Sequence, residues 1–324
     1  MTLHVVLGAG PVGSITARML ADAGERVRMI TRRGTGPEHP GIERVAADAA
    51  DPQQLLHAAS GATVLYSAAS PPYDRWVTEW PPLAASTQAA AEATGAVLVL
   101  VNNLYAYGPV DHPMVETDPS NAVGAKGRVR AQIWELALAA HDAGRIRATE
   151  LRASDYYGPQ VVLSQMGERV IPRLLAGKRV RVVGATDQPH SWTYIDDVAR
   201  ALITIGGDER AWGHVWHAPT NAPLSQRAMI ESLCAAANVT AVQVSPIPPL
   251  VLNALGIFSP TIREIRETLY QFNRPFVIDS TAITTTFGLT PTSLEASLAD
   301  TVAWYRNREA GAADGRVSGT RHAA

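Results

Sequence analysis

At 324 residues and a net charge of −2, the chain is long enough to bury a sizeable core and offers no electrostatic case for binding nucleic acid or an anionic membrane. A single cysteine, Cys234, excludes an intrachain disulfide framework and fits a reducing compartment. No apolar run approaches the roughly 20 residues that span a bilayer, and the first strand leaves no room for a signal peptide, so a cytoplasmic location is expected.

The first predicted element is the strand Leu3-His4-Val5-Val6-Leu7, followed by Gly8-Ala9-Gly10-Pro11-Val12-Gly13 and a helical pattern. A glycine turn between strand and helix is a dinucleotide-binding fingerprint. Gly8 permits the tight turn, Gly10 lets backbone amides approach a pyrophosphate, and Gly13 lets the helix pack closely on the strand. The helix N-terminus aims its partial positive charge at the phosphates. The next strand, Arg26–Ile30, ends in Thr31-Arg32-Arg33-Gly34. An NAD-preferring site carries an acid here for the ribose 2′-hydroxyl; two guanidiniums suit a 2′-phosphate instead. The expected cofactor is NADP(H), with NAD(H) as the alternative, and a solvated basic loop is the plain reading of the same residues.

Further strands are predicted at Glu43–Ala47, Thr63–Ala68, Ala96–Val101 and Arg147–Ala153, with helices at Pro52–Ala59, near Arg75–Thr94 and over about 121–143. This alternation implies an α/β fold of Rossmann type, a doubly wound parallel sheet with helices on both faces. Ligands in such sheets lie beyond the carboxyl ends of the strands, so Asp48-Ala49, Ala68-Ala69, Asn102 and Ser154-Asp155 should join the glycine turn along one crevice.

From about Gly158 the pattern shortens and prolines punctuate it, with strands at Arg179–Val183 and Thr240–Val244 and helices near Ser225–Asn238 and Thr261–Asn273. Residues 1–158 are read as the dinucleotide-binding domain. Residues 159–308 are read as a smaller substrate-binding lobe interleaved with the end of the sheet, and 309–324 as a disordered tail.

Several landmarks in this order resemble the extended short-chain dehydrogenase/reductase superfamily, the group of NAD-dependent epimerases and dehydratases. They are the glycine turn, Asp48, Ala68-Ala69, Tyr107-Gly108, Tyr157-Gly158-Pro159, the stretch Ser191-Trp192-Thr193-Tyr194-Ile195-Asp196-Asp197-Val198-Ala199, and Phe287-Gly288-Leu289-Thr290-Pro291. The resemblance runs to about Arg306. It implies a Ser or Thr that orients a substrate carbonyl and a Tyr-x-x-x-Lys pair that moves the proton and holds the nicotinamide ribose. It also implies Asp48 at the adenine and a homodimer as the usual assembly.

The chain departs from that catalytic pattern. Asn103 stands at the Ser/Thr position, and nothing in 120–134 reads Tyr-x-x-x-Lys. The pair falls on Lys126 and Arg130, or in another register on Ala122 and Lys126. A lysine at this helix also resembles the isoflavone reductase group, where it replaces the tyrosine. Lys126 is therefore a candidate general acid or ribose ligand, Asn103 a carbonyl orienter through its amide, and Tyr105 a substitute acid.

His190 replaces an arginine that nucleotide-sugar enzymes of the family place on the substrate diphosphate, which speaks against such substrates. Tyr73, Trp76, Tyr156, His190 and Trp192 are read as substrate residues, although the pair Trp76/Trp80, four apart, is equally a core stripe. The histidines show no metal-ligand spacing. The leading expectation is an NADP(H)-dependent oxidoreductase acting on a small, largely apolar carbonyl or conjugated substrate. The rivals are an NAD(P)-dependent epimerase or dehydratase, which returns its hydride, and a non-catalytic NAD(P)-binding sensor.

Overall fold

Strand β1 (Leu3–Leu7) is buried along its whole length, as an interior strand of a parallel sheet covered on both faces must be. The computed structural model containing it describes residues 2–248, 250–252 and 266–319. Seven parallel strands form the main sheet in the order β10-β6-β5-β4-β1-β2-β3. They are β1, β2 (Arg26–Thr31), β3 (Ile42–Ala46), β4 (Val64–Ser67), β5 (Val97–Asn102), β6 (Arg147–Arg152) and β10 (Val215–His217). The order reverses at β1, where β2 lies on one side and β4 on the other, and this switch point opens the crevice for a ligand.

Alternate side chains of each strand feed two cores. On one face Val6, Tyr66, Val99 and Leu151 pack against α1 (Pro11–Asp22) and α6 (Ile195–Gly207). On the other, Val5, Leu65, Leu98 and Ala148 meet α2 (Pro52–Ala58), α3 (Trp76–Thr94) and α4 (Ala125–Asp142). Local chemistry sets the helix starts. Pro11 and Pro52 occupy first-turn positions that need no donor, and Asp51 caps α2 by accepting from the Gln53 and Gln54 N–H groups. Helix α3 ends at Gly95, whose φ of 68° is the left-handed stop that glycine accommodates.

A third core joins the short strands β7 (Asp155–Tyr157), β8 (Val180–Val182), β9 (Trp192–Tyr194) and β11 (Val244–Pro246) to α5 (Ile171–Leu175) and α7 (Gln226–Ala236). Two short helices, α8 (Tyr270–Asn273) and α9 (Thr281–Phe287), and a long one, α10 (Leu294–Gly319), follow. The chain interleaves the layers, since α6 covers the main sheet and β10 is its seventh strand.

Three expectations need correction. The strand expected at Thr240–Val244 begins only at Val244, because its partner β8 offers three residues of pairing, Val180 to Val182. Of the helix expected over 261–273, residues 261–265 lie outside the described residues, and the rest is a turn at Arg266–Thr268 followed by α8. Helix α10 runs into the stretch read as a tail, as far as Gly319; residues 309–319 hold no proline to stop it. Residues 320–324 lie outside the described residues.

Candidate active site

A cleft of about 1240 Å³ follows the carboxyl ends of the strands. Its centre is the glycine turn. Gly8 takes φ 92°, and a Cβ there would stand 2.7 Å from the Ala69 Cα; one on Gly13 would stand 2.0 Å from the Gly8 carbonyl oxygen. These two glycines pay for close backbone packing. Gly10 differs: a Cβ there would meet nothing within 4 Å, so its surface opens into the cleft at the N-terminus of α1. Pro11 and Val12 line the cleft beside it.

Towards β2 and β3 the walls are Arg32, Arg33, Asp48 and Ala49. Both arginines are exposed, and neither makes a hydrogen bond or ion pair among the described residues. Asp48 folds its own loop, with Oδ1 accepting from the Ala50 N–H at 3.0 Å. Ala68 and Ala69 at the end of β4 continue the wall towards Asn102, Asn103, Arg130 and Tyr156. Open space at Gly10, exposed cations at one end and hydrogen-bonding side chains at the other fit a dinucleotide laid across the switch point.

The far end is built on a buried polar chain. Arg130 of α4 donates to the Asn102 Oδ1 and the Val101 carbonyl, and its guanidinium carbon lies 4.2 Å over the Trp80 ring. Asn102 donates Nδ2 to Glu150 at 2.7 Å, and the other Glu150 oxygen accepts from Arg152 Nε at 2.7 Å. Arg152 stacks on Tyr107, whose hydroxyl donates to His217 Nε2 at 2.8 Å, while His217 Nδ1 donates to the Asp279 carbonyl at 2.7 Å. Burial pulls the Arg130 guanidinium down to about 10, with Glu150 opposing, so it stays charged at neutral pH. Burial likewise pushes the Tyr156 phenol up to about 12, against the pull of Arg130.

The residues expected to do chemistry divide into two groups. Asn103 lines the cleft as expected; its Oδ1 accepts from the Tyr105 N–H at 3.0 Å, and its Nδ2 has no hydrogen-bond partner among the described residues. Tyr156 also lines the cleft. Lys126 and Tyr105 do not. Lys126 is 2% exposed at the first turn of α4, with Nζ 3.4 Å from Glu267 Oε2 and 4.8 Å from the Tyr73 ring centre. Gly124 makes room for that carboxylate, since a Cβ there would lie 2.0 Å from Glu267 Oε1. The Tyr105 phenol is raised well above its usual range by burial and is hydrogen-bonded to Tyr73 and Gln271.

Several expected pocket residues are committed elsewhere. Tyr73 pairs with Thr268 at 3.0 Å. His190 lies between two acceptors, the Gln271 carbonyl at 3.1 Å and Asp155 Oδ2 at 2.8 Å. Trp192, expected against substrate, is a core residue whose indole donates to the Leu224 carbonyl at 2.9 Å. Ser154 and Asp155, expected at the cofactor, do not line the cleft. Trp76 and Trp80 serve twice, as core and as cleft wall.

Glu150 was legible in part. Glu150 and Arg152 stand two apart, on one face of the interior strand β6, a charged pair that a buried sheet admits only when satisfied. Glu267 gave no such signal. Among the described residues no group of three or more His, Cys, Asp or Glu side chains is placed to hold a metal, and no helix is long and apolar enough to cross a membrane.

Residues 4–214 match the model of the NAD-dependent epimerase/dehydratase family. A curated dTDP-glucose 4,6-dehydratase of Mycolicibacterium smegmatis is 25% identical over 215 residues, which cover 65% of this chain and 59% of that protein. The aligned region thus spans under two thirds of the relative. A dTDP-glucose 4,6-dehydratase of Bacillus anthracis, solved in complex with NAD, superposes with a TM-score of 0.77 at 16% identity, over 95% of this chain and 98% of that one. A UDP-glucose 4-epimerase of Thermotoga maritima, solved with UDP-glucose, gives 0.77 at 18% identity, over 95% and 99%. At these identities the two structures establish the shared fold.

Proposed function

Because this chain belongs to the NAD-dependent epimerase/dehydratase family, we propose that it is an enzyme that binds a nicotinamide dinucleotide along the cleft, NADP(H) in preference to NAD(H). A bound nicotinamide supplies hydride transfer at its C4 position. The amides of the glycine turn and first turn of α1 would receive the pyrophosphate, Asp48 and Ala49 the adenine, and Arg32 and Arg33 the 2′-phosphate.

The observation that carries the cofactor choice is the end of β2, where two exposed guanidiniums stand with no partner among the described residues and no carboxylate follows the strand. Asn103, whose amide nitrogen has no partner among the described residues, would hold a substrate oxygen near the reacting carbon. Family membership favours a cycle in which the hydride returns to the substrate, as in epimerisation or dehydration. The aromatic wall of Trp76 and Trp80 favours a second reading, net reduction of a largely apolar carbonyl compound.

Calorimetric titration of NADPH and NADH into the wild type and the double variant Arg32→Ala/Arg33→Ala tests the cofactor reading. The expected result is a preference for NADPH above about tenfold (~1.4 kcal/mol) that vanishes in the variant. Equal affinities overturn the NADP(H) assignment, and absent binding overturns the reading of the cleft. Net NADPH consumption with a ketone panel then separates reduction from a hydride-returning cycle.

A further inference from the structure

At the substrate end of the cleft, Trp76 and Asn103 form the wall. The Tyr73 and Tyr105 rings stand against Trp76, with centroids 5.1 and 6.1 Å from it, and Asn103 Oδ1 accepts from the Tyr105 N–H. Residues 266–273 cross from the lobe to this place. They tie down three side chains expected at the substrate: Glu267 meets Lys126, Thr268 meets Tyr73, and Gln271 meets Tyr105. Each faces the protein's own chain.

The two ends of the crossing segment are held differently. At its C-terminal end Phe272 is buried in the third core and, with Phe276, stacks on the His190 ring. Asn273 Oδ1 accepts from the Ala185 N–H at 3.2 Å, and a Cβ on Gly184 would stand 2.4 Å from the Phe272 Cβ. At its N-terminal end Glu267 and Thr268 reach the dinucleotide-binding half through polar contacts, and the Glu267 side chain is 24% exposed. Polar contacts that a ligand can replace contribute little net stability, whereas buried aromatic packing has no such substitute. The segment is anchored in the lobe and latched to α4.

The latch has the chemistry of a ligand site. One Glu267 oxygen accepts from the Lys126 N–H at 2.8 Å, the other lies 3.4 Å from Nζ, and the carboxylate fills the hollow that Gly124 leaves. Exchange of this carboxylate for another leaves the charge balance around the buried ammonium unchanged, while exchange for a neutral group does not.

We propose that residues 266–273 are an autoinhibitory strap that Glu267 holds shut, and that a substrate joining a carboxylate to an apolar body opens it by taking the place of Glu267 on Lys126. Opening uncovers the Tyr73 and Tyr105 phenols beside that substrate. This rests on the reading of the cleft as a dinucleotide site with its substrate at the Asn103 end.

The test titrates phenylacetate and phenylacetamide, alike in shape and different in charge, into the wild type, Glu267→Ala and Glu267→Ala/Lys126→Met by calorimetry. Glu267→Ala is expected to bind phenylacetate about tenfold or more tightly than the wild type does, since no internal carboxylate competes, and phenylacetamide no more tightly. Adding Lys126→Met is expected to abolish that gain. Hydrogen exchange of the wild type reads the movement: saturating phenylacetate should speed exchange of residues 266–270 by about threefold or more and leave 272–278 unchanged.

A merely structural latch predicts a lower melting temperature for Glu267→Ala with no gain for the acid over the amide. If Glu267→Ala does not fold, Glu267→Gln, which keeps the shape, takes its place in every comparison. No gain for phenylacetate, an equal gain for the amide, or exchange unmoved by phenylacetate overturns the strap. If NADPH still binds, the strap fails alone; wild-type protein that binds neither NADPH nor NADH overturns the cleft reading and the strap with it.

Discussion

The carboxylate of Glu267 seals the first turn of α4, accepting from the Lys126 N–H at 2.8 Å with Oε2 3.4 Å from the same residue's Nζ. The two residues are 141 positions apart in the chain. Their contact decides that the most conspicuous basic side chain of the helix faces a protein carboxylate and not the cleft.

This contact is open to chemical labelling, because the chain has two lysines, Lys126 buried and Lys178 exposed. Acylation followed by peptide mass spectrometry should modify Lys178 readily and Lys126 at least ~10-fold more slowly. Glu267→Ala should raise the Lys126 rate. Gly124→Ala should do the same, at a cost in stability, since the new Cβ drives the Glu267 side chain away from the first turn of α4 and its buried Lys126 contact. Equal labelling of both lysines in the wild type would contradict the sealed site.

The glycine turn predicts opposite outcomes for neighbouring substitutions. Gly10→Ala should leave the melting temperature unchanged, because φ is −70° and the Cβ meets nothing, yet lower dinucleotide affinity by about tenfold or more. Gly13→Ala forces its Cβ against the Gly8 carbonyl and should cost about 1–3 kcal/mol of stability as well as binding. Thermal unfolding and calorimetry on the two variants check this. Similar losses of stability would show that Gly10 does not face open space.

His217 makes stability depend on pH. Burial holds its folded value at about 4, below the usual 6.5. The unfolded chain therefore takes up a proton as the pH falls below 6.5 while the folded chain does not, and stability declines from there down to about pH 4. The loss attributable to this group is on the order of 3 kcal/mol. Urea unfolding at intervals between these pH values should show the slope, and His217→Gln should flatten it; His4, which burial also lowers, adds to the slope, and Asp196, which burial raises to about 6, opposes it. A variant slope identical to the wild type would place the His217 titration elsewhere.

The Arg152–Glu150 pair predicts a large penalty for removing one partner. Both side chains are buried, so Arg152→Met leaves Glu150 with a single hydrogen bond from Asn102 and should cost about 3–5 kcal/mol. Replacing both, as Arg152→Met/Glu150→Gln, should recover much of it. Denaturant unfolding of the single and double variants measures the coupling, and strictly additive losses would show that the two do not act as a pair.

Much of the fold was legible because it is written locally. The glycine turn, the proline-started helices α1 and α2 and the two-sided burial of β1, β4 and β5 all depend on residues within a few positions of one another. Asn103, Tyr156 and the β2 arginines line the cleft for the same reason, since a strand end carries its next residues to one edge of the sheet. Trp192 was misread because a tryptophan two residues after His190 looks the same in sequence whether its indole meets a ligand or the Leu224 carbonyl.

By itself, then, the sequence determined the doubly wound sheet, the glycine turn after β1 and the basic character of the β2 end, all products of short-range periodicity and turn chemistry. Only the tertiary structure decided which basic residue of α4 enters the cleft. One helical turn separates Lys126 from Arg130, and what divides their roles is distant in the chain: Glu267 covers the first, while Asn102, Glu150 and Trp80 hold the second at the cleft wall.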